Sequence, residues 1–279
     1  MNPSTQSYKQ TPIQKLLASN AKWWYVIRYY RNSQLTYNSN SILHSLASIG
    51  SFLLMILVWY ISLNGNPVIS FNQILTYFFV VYIYSGLTPM WISEMLGYKI
   101  YGGNLTSYLM RPNDIFWIGV CEMLGRGVIT ASILIILPFI VILPFFWSNL
   151  NFPTSLVNYF ALLSFLPISF FIKYCIDFIV GCASFWIINN GGLIRTYSVL
   201  LSGLDGTRIP LKYLSNYISY ILFLPTAFII YYPVELFLHF DLNNYLYAFS
   251  GGIAWCVTLY FLAKWIFKIG LKRNEAVGL

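Results

Sequence analysis

The residues able to do chemistry are few and dispersed. Cys121, Cys175, Cys182 and Cys256 all lie inside apolar stretches, with no CxxC or Cys/His spacing that would hold a metal. Buried cysteine of this kind behaves as a small hydrophobe, so neither a metal site nor a redox pair is expected. His44 and His239 are far apart in the chain, and His44 reads as a hydrogen-bonding residue near an interface. The carboxylates Glu94, Asp114, Glu122, Asp177 and Glu235 are scattered, so no acidic cluster of an ion-coupled pump is seen. There is no GxxxxGK[ST] phosphate loop, no HExxH and no GxSxG. What remains is charge spaced for pairing. Glu122 and Arg126 are four apart, as are Lys173 and Asp177, and on a helix each pair shares one face. The expectation is a protein without catalysis or a cofactor of its own, working through contacts and two charge pairs.

The elements that must carry these residues are set by solvent. The chain has 279 residues, 58% hydrophobic and 9% charged, where a soluble domain carries about 25% charged residues. No Lys, Arg, Asp or Glu occurs between Arg31 and Glu94, between Arg126 and Lys173, or between Asp241 and Lys264. A bilayer needs about 20 apolar residues per helix, and a charge at its centre costs about 2.5–3.5 kcal/mol on insertion scales. These gaps therefore mark helices whose solvent is lipid.

The net charge of +8 is concentrated at the ends. Lys9, Lys15, Lys22, Arg28 and Arg31 precede the first span, and Lys264, Lys268, Lys272 and Arg273 follow the last. By the positive-inside rule both termini are cytoplasmic, and the attraction is for anionic lipid rather than nucleic acid. Residues 1–40 are expected to be a cytoplasmic N-terminus without a signal peptide. Within it, 12–31 place Ile13, Leu16, Leu17, Trp24 and Ile27 at helical spacing, an amphipathic helix suited to the headgroup layer. Its interfacial residues are Lys15, Trp23, Trp24, Arg28 and Arg31.

The expected fold class is all-α integral membrane, with six transmembrane helices over 41–268 and a cytoplasmic tail at 269–279. Spans fall at 41–63 and 71–93, then from Pro112 to near Trp147. Two more share Thr154 to Gly203, with the turn either near Lys173 to Asp177 or, by preference, at Asn189-Asn190-Gly191-Gly192, and the last covers 245–267. The internal loop 94–114 is long enough for a short cytoplasmic helix. Between 203 and 241, glycines and prolines break the apolar runs into pieces too short to span, which reads as a re-entrant segment on the outer side.

Four pieces, in order, resemble the permeases of ATP-binding cassette exporters of the second type, in the drug- and antibiotic-export branch. They are Gly103-Asn104-Leu105 to Leu109-Met110-Arg111-Pro112; Ala183-Ser184-Phe185-Trp186; Leu201-Ser202-Gly203 with Ile209-Pro210-Leu211, Leu224-Pro225 and Tyr232-Pro233-Val234-Glu235; and Gly270-Leu271-Lys272-Arg273-Asn274-Glu275-Ala276-Val277-Gly278. Asn274 stands where the family often has an aromatic, and Lys173 where it usually has an apolar or amide residue. The resemblance implies a permease in the plasma (inner) membrane of a prokaryote, paired with a second permease subunit and driven by a separate ATPase that holds ATP and Mg. It makes 12–31 the elbow helix. It makes 94–114 the coupling loop, with Glu94, Tyr98, Lys99, Tyr101 and Arg111 contacting the ATPase. An amphipathic, drug-like or lipid-like cargo would pass along the first, second and fifth helices. The rival readings are an ion-coupled secondary transporter, a membrane anchor or assembly factor, and a lipid-modifying enzyme, for which no acidic pair is present.

Overall fold

The computed structural model describes residues 12–35, 38–63, 70–88, 90–110, 113–187, 190–213 and 216–277. The chain is all-helical, with no strand among the described residues. In order, the helices are α1 (Pro12–Leu35), α2 (Asn38–Leu63), α3 (Phe71–Leu87), α4 (Ile92–Tyr101), α5 (Leu105–Leu109), α6 (Ile115–Phe146), α7 (Leu156–Cys182), α8 (Gly191–Leu204), α9 (Tyr231–Leu238) and α10 (Leu242–Val277). Among the described residues, three stretches are long and apolar enough to cross a membrane: Phe71–Tyr101, Leu156–Phe185 and Leu242–Arg273.

Caps define where helices begin. Asp114 accepts from the Phe116 amide at 2.9 Å to open α6, and Ser155 accepts from Val157 to open α7; each satisfies one of the amides that a helix start leaves unpaired. The prolines at 138 and 144 fall within α6 without dividing it.

Two packing groups share the molecule. One gathers α1, α2 and α3 on α6; the other gathers α4, α9 and α10 on α7. Tyr174 of α7 joins them: its hydroxyl donates to the Phe116 carbonyl at 2.6 Å, and its ring meets the Phe116 ring edge-on at 5.0 Å. In lipid, helix association rests on such close packing and interhelical hydrogen bonds rather than on water exclusion.

The segment after α8 consists of short 3₁₀ pieces at Leu211–Tyr213, Asn216–Phe223 and Pro225–Phe228, then the eight-residue α9. Its inner part is covered: Phe228, Ile229 and Ile230 are almost wholly buried. Carbonyls that such irregular chain leaves free receive side-chain donors. Trp59 donates to Arg208, Trp255 to Phe223 and Asn158 to Phe237. Non-helical backbone at membrane depth is tolerated only with this kind of cover.

One expected boundary is corrected. The end of the second helix at residue 93 falls inside α4, because helical geometry stops after Leu87 and a further helix runs Ile92–Tyr101. Residues 94–101 therefore belong both to a short helix, α4, and to the broken candidate span Phe71–Tyr101, and α5 follows as a second short helix. The reason is continued burial: Leu96, Gly97 and Ile100 pack inward as the residues before them do.

Candidate functional site

At the end of α4, Glu94, Tyr98 and Tyr101 line one wall of an open groove of about 480 Å³. The two tyrosine rings lie 5.4 Å apart and are largely exposed. The facing wall is Asn190, Gly191, Ile194 and Arg195 from the start of α8. Sequence reading singled out the first wall and used the Asn-Asn-Gly-Gly stretch only as a turn. It missed the second wall because nothing local to residues 190–195 marks them as neighbours of α4. Asn190 is fixed there by donating to Ser184 Oγ. The groove carries an acid, a guanidinium and two amphipathic rings: the donors, acceptors and anchors of a protein contact.

Lys99 is turned away from this groove. Its ammonium pairs with Glu122 Oε2 at 3.1 Å and lies 4.4 Å from the Tyr108 ring centre. Glu122 also meets Arg126 through Oε1 at 3.1 Å, so the pair expected from spacing has a third member supplied by α4. Glu122 is 3% exposed, and one buried carboxylate thereby joins α4 to α6. Arg126 in turn sits 5.6 Å over the Tyr30 ring of α1. A side chain at neighbouring Gly125 would run into the Ile27 carbonyl, so α1 lies flush on α6 there. Arg111 lies outside the described residues, and so does the side chain of Lys15.

The remaining residues expected at an interface sit on α1. Lys22, Trp24 and Arg28 are exposed, Trp24 to 60%, while Trp23 and Arg31 are half-buried. The helix therefore has one face docked on α6 and an aromatic, basic face left uncovered.

Lys173 and Asp177 do not behave as the spacing indicates. They are not in ion-pair contact with each other. The Lys173 ammonium donates to the Thr88 carbonyl at 2.8 Å, and Asp177 Oδ2 accepts from the Ser93 amide at 3.0 Å. Thr88 follows the last residue of α3 and Ser93 is the second residue of α4. The two charges of α7 thus occupy opposite sides of the break in the neighbouring helix. Residue 89 in that break is a proline, which has no amide to donate and disfavours helical geometry in the residue before it. Thr88 accordingly has φ −119° and ψ 50°. The charges were visible in the sequence, whereas their partners are backbone atoms that no side-chain pattern marks.

A second groove, of about 550 Å³, runs between α2, α3 and the end of α8. Phe52, Met55, Val58, Phe78 and Val81 make it apolar, and Arg208 stands at its α8 side. Among the described residues no group of three or more His, Cys, Asp or Glu gathers as a metal site would.

Comparison with protein families matches residues 46–278 to the model described as ABC-2 family transporter protein. No curated protein and no solved structure matches the chain. The family match runs from within α2 to the end of α10, taking in the broken span and the residues that line both grooves, and it agrees with an apolar helical architecture: the chain belongs to the ABC-2 family of membrane transport permeases.

Proposed function

We propose that this permease exports an amphipathic, drug-like or lipid-like molecule, driven by ATP hydrolysis in a separate ABC ATPase subunit that holds the nucleotide and Mg. The observation that carries the reading is the groove of Glu94, Tyr98 and Tyr101 against Asn190 and Arg195. A chain without a phosphate loop must receive work through contacts, and this two-walled surface, ending a long broken helix, suits an inserted segment of a soluble partner.

The wider arrangement follows the same logic. Helices α2, α3–α4, α6, α7 and α10 are taken as spans, with the shorter, 14-residue α8 in the fifth place, α1 as an interfacial elbow and residues 203–241 as an outer re-entrant segment. The basic ends put both termini in the cytoplasm, in a prokaryotic plasma membrane. The α4 groove then faces the cytoplasm. The α2–α3–α8 groove faces a second permease subunit, and its apolar walls with Arg208 at one side suit a cargo having both an apolar body and a polar head. A non-ABC role, as a secondary transporter or an anchor, would leave the α4 groove without a motor.

The test is purification in mild detergent from native membranes, with stoichiometric partners identified by mass spectrometry. Wild type is expected to bring down a subunit bearing a phosphate-loop ATPase sequence. Changing Tyr98→Ala together with Tyr101→Ala should cut its recovery by about tenfold or more, the loss typical of removing aromatic anchors. A stable wild-type complex with no ATPase would sink the reading.

A further inference from the structure

The break in the Phe71–Tyr101 span exposes backbone at membrane depth, and its repair is specific. A helix end leaves carbonyls unpaired at its C-terminus and amides unpaired at its N-terminus, and each costs several kcal/mol in lipid if nothing answers it. Here the last turn of α3 presents the Thr88 carbonyl to an ammonium, and the first turn of α4 presents the Ser93 amide to a carboxylate. The Ile92 amide also faces Asp177. The signs match the helix dipoles, cation at a C-terminus and anion at an N-terminus. Both charges come from one helix, four residues or about 6 Å apart along its axis, so α7 spans the gap as a rigid strut.

Neighbouring contacts make α4 a body separate from α3 but held to α7. At Gly181 a side chain would come within 3.0 Å of the Ser93 Cα and 3.1 Å of the Leu96 Cβ, so the two helices touch backbone to backbone. On its other side α4 is held to α6 by Lys99 and Glu122. Across the break, α3 meets α7 separately, through the buried Tyr84 and Ser169 hydroxyls 2.9 Å apart, and it is also tied to the turn after α8, where Tyr77 donates to the Gly206 carbonyl at 2.8 Å. In the same turn Asp205 is buried and lies near enough to Lys173 for their charges to interact. The clasp therefore sits between the ATPase-facing groove and the groove of α2, α3 and α8.

We propose that Lys173 and Asp177 are positioning residues for coupling: by clasping both ends of the broken second span, they make movement of α4 at the docking groove turn α3 and the end of α8 rather than dissipate at the break. This rests on the docking reading above. An ordinary intrahelical Lys–Asp pair would stabilise α7 alone and would not care which position held which charge. A clasp depends on order, because each charge answers a helix end of fixed polarity.

The experiment uses the full permease–ATPase complex in lipid nanodiscs, with amide hydrogen exchange read before and after trapping with ADP and vanadate. Wild type should change exchange on trapping both in α4 (92–101) and across the break in α3 and residues 201–208. Lys173→Met, Asp177→Leu and the swap Lys173→Asp with Asp177→Lys should each confine the change to α4, with ATPase recovery within about twofold of wild type. Before trapping, the Asp177→Leu chain should exchange at 92–94 about tenfold faster, reflecting one lost cap to a buried amide. Asp177→Asn, which keeps an acceptor, should fall between. If the swapped chain carries the trapping signal across the break as wild type does, the clasp proposal is overturned while the docking reading stands. If wild type itself recruits no ATPase, it is the docking reading that has failed. Should the swap prove too unstable to purify, the single variants decide alone: transmission beyond α4 in both Lys173→Met and Asp177→Leu overturns the proposal.

Discussion

Two charge constellations in this molecule start from the same sequence feature and end differently. Glu122 with Arg126, and Lys173 with Asp177, are both oppositely charged pairs four residues apart on a long apolar helix. The first closes on itself and recruits Lys99, so that one buried carboxylate holds two cations by side-chain contact. The second opens, each member passing over its partner to a backbone group of a broken neighbour. The difference is set by what the facing helix offers. Opposite Glu122, α4 is within its regular run, its amides are spent inside the helix, and only a side chain can reach the carboxylate. Opposite Lys173 and Asp177, the same span is broken and its free backbone groups compete for the charges.

The comparison can be broken experimentally, and the largest effect is expected at the closed cluster. Glu122→Ala leaves Lys99 and Arg126 without their shared counter-charge. Loss of a buried partner of this kind costs about 3–5 kcal/mol, and should appear as the greatest drop in apparent Tm among these variants in detergent. Adding Lys99→Met should return part of that loss. Next comes Asp177→Ala, which strips a buried amide of its acceptor at about 1–3 kcal/mol; a fall in Tm exceeding that of Glu122→Ala would contradict the ranking.

A double-mutant cycle separates the two constellations more sharply. Lys99→Met against Glu122→Gln should show a coupling energy within the range of about 0.5–3 kcal/mol found for residues in one network. The Lys173→Met against Asp177→Asn cycle should give a smaller value, since neither side chain touches the other. Equal couplings would mean that the opened pair is an ordinary intrahelical one. The smallest effect belongs to Lys212 and Glu235, paired at 2.8 Å but with the lysine side chain 46% exposed. Exposed pairs contribute about 0–1 kcal/mol, so Lys212→Ala should leave the Tm nearly unchanged.

How much of this could be read in advance differs element by element. The apolar gaps foretold α2, α6, α7 and α10, because lipid punishes charge regardless of tertiary context. Of the two places weighed for the turn between the fourth and fifth helices, 173–177 lies inside α7, and α8 starts at Gly191, within the glycine pair of the other. The end of the second span was not foretold. Glu94 and Lys99 look like the start of a polar loop, yet Glu94 points out of a continuing helix while Lys99 is spent on Glu122. Half of the α4 groove, Asn190 to Arg195, was invisible for a related reason: it becomes a wall only when α8 is folded beside α4.

By itself, then, the sequence determined that the chain is helical and lipid-embedded, where most helices lie, that charge at the ends is basic, and which few ionisable residues stand in apolar surroundings. Those are consequences of solvent and local propensity, which act on residues near one another in the chain. Only the tertiary structure decided what the charges of α7 contact. Spacing put Lys173 and Asp177 on one face of α7, but their partners lie 85 and 84 residues away in sequence, in a backbone whose availability depends on where another helix breaks. A broken helix end has no side-chain signature, and so the residues that answer it acquire their meaning only when the two helices meet.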